Sequence, residues 1–141
     1  MHAVIETSKG TISFRLQGKD APKTCDNFVK LAKQGFYENL TWHRVIDNFV
    51  IQGGCPKGDG TGGPGYTIDA ELNEHKHVKG TVAMARGSSL NSAGSQFYIA
   101  RTTLPHLDKQ YTVFGTVTSG FDVIDKIKQG DTIKKVSIVA E

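Results

Sequence analysis

The chain has no apolar run longer than four residues, so no segment of it is suited to cross a bilayer as a helix. Cysteine is scarce. Cys25 and Cys55 are the only two, they lie in unlike surroundings, and a 141-residue domain buries a core without a bridge between them. Reduced thiols and a cytoplasmic location are therefore expected, which leaves the Asn39-Leu40-Thr41 sequon without a role, because glycosylation requires secretion. The opening Met1-His2-Ala3-Val4-Ile5-Glu6 lacks the basic-then-apolar pattern of a signal peptide and reads as a strand. An excess of charge is also missing. Lys and Arg number 17 against 14 acidic residues, and the net +3 is spread along the chain, which argues against a nucleic-acid partner. No coiled-coil heptad occurs, and a monomer is expected.

A nucleophile with its base is absent too. None of the five histidines, His2, His43, His75, His77 and His106, sits in a local motif with a serine or cysteine. His43 precedes Arg44 in a strand-like segment, where neighbours point to opposite faces, so it reads as a satisfied structural histidine outside any site built on Arg44. His75-Lys76-His77, with Glu71 and Glu74 nearby, has a polar, aperiodic context that favours a solvated loop over a metal site. Neither a metal nor a cofactor is expected.

Glycine, by contrast, is plentiful at 16 residues, many of them between Gly53 and Gly65. Gly58-Asp59-Gly60-Thr61-Gly62-Gly63 spells the dinucleotide fingerprint, but Pro64-Gly65 follows it where a helix N-terminus would be needed to cradle phosphate. The better reading is a tight loop that brings backbone close to a partner such as a peptide.

Apolar residues at 38% and charged residues at 22% fit a soluble globular domain. Ala3, Ile5 and Thr7 alternate with Val4 and Glu6. Lys9-Gly10 then turns the chain into a second strand with Ile12, Phe14 and Leu16 on one face, which makes a hairpin. Pro22 suits a first helical turn, Cys25, Phe28, Leu31 and Ala32 follow at helical spacing, and Gly35 closes, giving a helix over 22–34. Residues 41–53 read as two short strands broken at Asp47-Asn48, 54–67 as loop and 68–79 as irregular. Strands are expected over 81–86, 96–101 and 111–117, with a loop over 102–110. A second helix follows Gly120, with Phe121, Ile124, Ile127 and Lys128 along one side, and ends near Gly130. The last strand, 133–139, sets Ile133 and Lys135 against Val136 and Ile138. No repeat or linker divides the chain, so 1–141 is read as one domain. Roughly eight strands and two helices suggest a closed barrel capped by helices.

Two segments carry the functional signal. Trp42-His43-Arg44-Val45-Ile46-Asp47-Asn48-Phe49-Val50-Ile51-Gln52-Gly53-Gly54 sets an arginine and a glutamine among strand-forming residues. Met84-Ala85-Arg86-Gly87 and Gly94-Ser95-Gln96-Phe97-Tyr98-Ile99 repeat the style. Strand parity puts Val50 with Gln52, and Gln96 with Tyr98. Any one of Arg44, Gln52 and Gln96 alone reads as an exposed strand residue; together, with aromatics and glycine-rich flanks, they suggest a binding or catalytic face. Spacing does not name the ligand.

The chain resembles the cyclophilins, peptidyl-prolyl cis–trans isomerases, in their compact single-domain microbial form. The resemblance rests on His43-Arg44-Val45-Ile46, Phe49 to Gly54, Gly60-Thr61-Gly62-Gly63, Met84-Ala85, Ser92-Ala93-Gly94-Ser95-Gln96-Phe97, Leu107-Asp108 and Val113-Phe114-Gly115, in the family's order from Ile5 to Val139. It implies a mainly β fold, an eight-stranded antiparallel barrel closed by two helices, with proline-containing peptides and client proteins bound across an outer face. By resemblance Arg44 is the catalytic donor, acting with Phe49 and Gln52. Phe49, Val50, Tyr98 and Leu107 form the proline pocket, Gln52, Ala85, Arg86 and Gln96 line the groove, and His106 and Tyr111 complete the rim. Parity does not place Phe49 beside Val50, so Phe49 rests on the family alone. The chain departs from the best-known eukaryotic members at four of these positions. Val50 replaces methionine, and Tyr98 replaces phenylalanine and brings a hydroxyl that needs a partner. His106 replaces a tryptophan that matters for cyclosporin binding, so reduced affinity for cyclosporin-type ligands is expected, and Tyr111 replaces histidine. Two rival readings remain: a barrel that binds proline segments with little turnover, and a small-ligand barrel, against which the large phenylalanines predict a filled interior.

Overall fold

The hairpin at the start of the chain forms as its alternation requires. His2–Thr7 (β1) and Gly10–Leu16 (β2) pair antiparallel with Ala3, Ile5, Ile12 and Phe14 fully buried. The computed structural model describes residues 1–140. After β2 come the helix Pro22–Lys33 (α1), the strands Leu40–Thr41 (β3), Arg44–Val45 (β4), Val50–Gly53 (β5), Thr81–Met84 (β6), Phe97–Ala100 (β7) and Val113–Ser119 (β8), a short helix Phe121–Lys126 (α2) and the strand Thr132–Val139 (β9). A single 3₁₀ turn, Pro105–Leu107, interrupts the loop between β7 and β8.

All nine strands join one antiparallel sheet in the order β3-β9-β1-β2-β8-β6-β7-β5-β4. Its two edge strands are consecutive in the chain, separated only by Trp42 and His43, so the sheet must curl until its edges meet. Trp42 fixes that seam: it is fully buried, and its backbone exchanges hydrogen bonds with Asp131 and Gly130 just before β9. The expected barrel of about eight strands is thus a curled sheet of nine, because residues 40–53 give three short strands where two were expected. Phe14, Phe28, Tyr37, Trp42, Phe97 and Phe114 pack inside edge to face or tilted, with centroids 5.1–5.9 Å apart. The interior is filled, which removes the small-ligand barrel from consideration.

α1 lies over this core through Cys25, Phe28, Leu31 and Ala32. No side chain of its own caps its N-terminus. Glu71 does so instead, accepting from the Lys23 and Thr24 amides at 3.2 and 2.7 Å. Glu71 therefore belongs to the helix cap and not to a histidine cluster.

Three expectations are corrected. In β9 a bulge opposite Glu6/Thr7 adds a residue, so Ile133 and Val136 both face the core while Lys135 is exposed. In α2 the buried residues are Val123 and Ile124, with Ile127 at the C-cap. Phe121 is 39% exposed and Lys128 lies beyond the helix, because the helix is only one and a half turns long and cannot carry a longer stripe. His77 is fully buried, not in a solvated loop, because its ring turns inward to Asp108 and Tyr98.

Candidate active site

Strand register draws one row across the outer face of the sheet. Arg44 in β4 lies opposite Gln52 in β5, Gln52 opposite Tyr98 in β7, and Tyr98 opposite Ala83 in β6. Directly opposed residues share a face, so the segments that sequence reading singled out converge here. Beneath them a second apolar cluster, Val50, Ala83, Tyr98, Ala100, Leu104 and Val113, is buried against the loop over 101–112, with Phe49, Ala85, Leu107 and Tyr111 partly buried around it.

The cluster opens into a pocket of about 120 Å³ walled by Phe49, Val50, Ala85, Tyr98, Leu107 and Tyr111, with Arg44, Gln52 and Arg86 at its polar edge. Phe49 escapes strand parity because it precedes β5 and its amide turns back to the Ile46 carbonyl at 3.2 Å. Its ring stacks on His106 at 6.1 Å and carries the Arg44 guanidinium 5.6 Å above its face. His106 does not line the pocket itself; it supports Phe49 from outside. Tyr111 meets Tyr98 edge-on at 5.8 Å and is covered by the Arg86 guanidinium at 4.6 Å. Arg86 is held there by the Gly87 and Gln110 carbonyls at 3.0 and 2.9 Å.

A directional hydrogen-bond chain orients Arg44. The Gln96 amide nitrogen donates to both the Gly60 and Gly62 carbonyls at 2.9 Å, which leaves its oxygen to accept from Gln52 at 3.1 Å. The Gln52 oxygen then accepts from Arg44 Nη1 at 3.2 Å. Both amide orientations follow from the two backbone carbonyls at the far end. The glycine loop therefore does bring backbone close, although its immediate partner is Gln96. Gly54 enables the approach: its φ of +91° is left-handed, and a Cβ there would lie 2.5 Å from the Ser95 carbonyl.

A second cavity of about 390 Å³ adjoins the pocket and shares Gln52, Ala85 and Arg86 with it, so the two form one groove. Gln96 lines only this second part. Thr61, Pro64, Tyr66 and Ser92, to which sequence reading gave no place in the groove, line it too.

His43 has neither ring nitrogen hydrogen-bonded although both are shielded from solvent, which corrects its reading as a satisfied histidine. Burial lowers its pKa from the ordinary value. Among the described residues no three His, Cys, Asp or Glu side chains gather as a metal-binding group. His75 pairs with Asp20 at 2.7 Å, and His77 turns inward to Tyr98 and Asp108. His77 is a hydrogen-bond partner of the pocket that sequence reading missed. The available signal was the hydroxyl of Tyr98, a polar group on an apolar face that needed a buried partner.

Comparison with known proteins identifies the family. The family model for cyclophilin type peptidyl-prolyl cis-trans isomerase/CLD matches residues 2–140. A Helicobacter pylori peptidyl-prolyl cis-trans isomerase is 52% identical over 139 residues, covering 96% of this chain and 85% of that protein. Peptidyl-prolyl cis-trans isomerase B of Bacillus subtilis is 50% identical, covering 90% of each chain. A Cryptosporidium parvum cyclophilin type isomerase, solved in the presence of the dipeptide Ala-Pro, superposes over the full length of both chains with a TM-score of 0.94 at 34% identity. The chain belongs to the cyclophilin-type peptidyl-prolyl cis–trans isomerases.

Proposed function

We propose that the outer groove accelerates cis–trans rotation about X–Pro bonds in peptides and in unfolded or folded client proteins, with Arg44, Phe49 and Gln52 as its catalytic residues. The observation that carries this assignment is the Arg44 guanidinium, fixed at the edge of a pocket whose size and apolar walls suit a proline ring.

Amide resonance opposes rotation with a barrier of roughly 18–20 kcal/mol, and uncatalysed X–Pro exchange takes tens to hundreds of seconds. Rotation needs neither a nucleophile nor a proton transfer. As the bond twists, the proline nitrogen's lone pair leaves the π-system and becomes a hydrogen-bond acceptor. A donor aimed at that nitrogen binds the twisted state better than either planar one, and so lowers the barrier. Arg44 suits the task because it stays charged and holds its donors in a rigid plane. Gln52 keeps that plane aimed, and Phe49 supports it from below.

Val50, Tyr98, Leu107 and Tyr111 grip the proline ring, with His106 at the outer rim behind Phe49. Ala85, Arg86, Gln52 and Gln96 hold the flanking peptide, so that rotation is confined to one bond. The Ala-Pro dipeptide in whose presence the Cryptosporidium structure was solved supports a proline peptide as the ligand of this groove. No cofactor, nucleic acid or membrane partner enters this reading. Action in the cytoplasm fits two free, buried cysteines, and a monomer is expected. His106 in place of a tryptophan favours reduced affinity for cyclosporin-type ligands.

The rival reading, a proline-binding module with little turnover, drew on Val50 and Tyr98. The Tyr98 hydroxyl bonds to His77 and leaves the pocket apolar, which favours turnover. Exchange measurements on a short Ala-Pro peptide decide between the two. Strong exchange that collapses in Arg44→Ala establishes the enzyme; peptide binding without exchange establishes the module.

A further inference from the structure

Tyr98 contributes its ring to the proline pocket, and its hydroxyl lies 2.7 Å from Nε2 of the fully buried His77. The two rings lie nearly parallel, 18° apart. On its other side His77 Nδ1 is 3.1 Å from Asp108 Oδ1, which also accepts the His77 backbone N–H at 2.7 Å. The His77 carbonyl accepts from the Leu104 amide at 2.9 Å. Asp108 follows Leu107 directly, and its amide closes the 3₁₀ turn onto the Pro105 carbonyl at 3.2 Å. One imidazole thus joins the floor of the pocket (Tyr98), its rear (Leu104) and the segment that carries its wall (Leu107), without lining the pocket itself.

The direction of each bond follows. The Asp108 carboxyl is held below the usual carboxylate range by the His77 backbone and side-chain donors, so it is an acceptor only. The proton therefore sits on Nδ1, Nε2 is bare, and the Tyr98 hydroxyl donates to it.

We propose that His77, oriented by Asp108, is a positioning residue for isomerisation: as a neutral imidazole it fixes the Tyr98 ring against the substrate proline, and its protonation frees that ring and lowers turnover. The proposal rests on the isomerase reading of the groove. The rotation chemistry offers no acid dependence of its own, because no proton moves and Arg44 stays charged. A protonated His77 carries N–H groups on both sides. Tyr98 would then have to accept, leaving its own proton without a partner in a buried apolar setting.

The charged and titratable groups facing His77 come from several elements. Asp108 favours its protonation, while Lys76, 4.0 Å from Asp108, weakens that attraction. His106, from the 3₁₀ turn, opposes a second cation. Tyr98 comes from β7, with Arg86 and Tyr111 beyond it. Burial outweighs Asp108 and holds the His77 pKa below its ordinary 6.5, which places the acid loss below that pH. His106 also lies close to the site, stacked on Phe49, so the test must separate the two histidines.

Exchange NMR on an Ala-Pro peptide without ionisable flanks gives kcat/KM across pH, and ¹⁵N shifts of the His77 ring in the same samples give its tautomer and titration. Wild type is expected to show the Nδ1–H tautomer at neutral pH and a loss of about fivefold or more that tracks His77 protonation. In Tyr98→Phe the hydroxyl is gone, and the component of the loss that tracks His77 should shrink below about twofold, whatever that variant's activity at neutral pH. His77→Gln should lower kcat/KM several-fold at neutral pH, and adding Tyr98→Phe should restore part of it, because no hydroxyl is then left unpaired. A merely structural role would not give that rescue. An Nε2–H tautomer, or an acid loss unchanged in Tyr98→Phe, overturns the proposal even if His77→Gln does not fold. Absent turnover in wild type at neutral pH would overturn the isomerase reading itself, a result distinct from turnover that ignores His77.

Discussion

Removing the Arg44 side chain should separate catalysis from folding. In the free protein Arg44 is exposed, and its contacts are one hydrogen bond, to Gln52 at 3.2 Å, and the face of Phe49 at 5.6 Å. Losing such surface contacts changes stability by less than about 1 kcal/mol. The transition state is affected differently. Deleting a donor aimed at developing electron density typically costs about 10²–10³ in rate, or roughly 2.7–4 kcal/mol. The groove is open to solvent on one side, which weakens a charged donor, so the lower figure applies and Arg44→Ala is expected to lose about a hundredfold in kcat/KM. That is about one seventh of the roughly 18–20 kcal/mol barrier, leaving the grip on the proline ring and the backbone contacts to supply the remaining acceleration. Because the donor acts mainly in the twisted state, the loss should fall on kcat with KM nearly unchanged. Arg44→Lys keeps the charge but not the plane shared with Gln52, and should recover only part of the loss. Peptide exchange by NMR measures the rates and urea unfolding the stability. If Arg44→Ala retained activity within about threefold while folding normally, the electrophilic role of Arg44 would be wrong.

Other perturbations test the scaffold. A Cβ at Gly115 would lie 2.4 Å from Phe14 Cδ2 and 3.1 Å from the Arg15 carbonyl, so Gly115→Ala should overpack the aromatic core by about 1–3 kcal/mol and lower Tm by roughly 3–10 °C in thermal unfolding, while kcat/KM at 25 °C stays near wild type. Burial pushes the Cys25 thiol up to about 12, so Cys25 should resist aromatic disulfide reagents at pH 8 in the native protein and react once denatured; fast native modification would contradict its packing. His77 and His43 are both held below the ordinary histidine value, chiefly by burial. As pH falls through 6.5 the unfolded chain takes up these protons first, so unfolding free energy should decline by up to about 1.4 kcal/mol per pH unit for each histidine until its folded pKa is reached. Urea midpoints between about pH 7.5 and 5 measure this, and His77→Gln should remove the share due to His77.

How much of this was legible in the sequence depended on whether a residue's environment is set by its neighbours in the chain or across the sheet. The period-2 alternation of 3–16 and the 3.6 spacing of Cys25, Phe28, Leu31 and Ala32 were read correctly, because each face meets a single continuous core. Parity also paired Val50 with Gln52 and Gln96 with Tyr98, since those short runs contain no bulge. Parity failed in β9, where one inserted residue at the bulge moves Val136 to the face of Ile133, and nothing in Ile133-Lys134-Lys135-Val136 marks that insertion. The site was legible residue by residue only through family resemblance, because Arg44, Gln52, Gln96 and the Gly60–Gly62 carbonyls join through three strand registers and a loop. His77 shows the limit most clearly. Its neighbours Glu74, His75, Lys76 and Lys79 are polar, and locally the segment looks solvated. The requirement for a buried imidazole comes from the tyrosine 21 residues later and from Asp108 beyond it. A polar atom placed on an apolar strand face is itself a sequence signal: it demands a partner, and in a sheet that partner must come from a segment crossing behind the strand. Read that way, Tyr98 calls for a buried donor or acceptor among the polar loops, and of the histidines left unassigned there the structure selects the one that reaches both Tyr98 and Asp108.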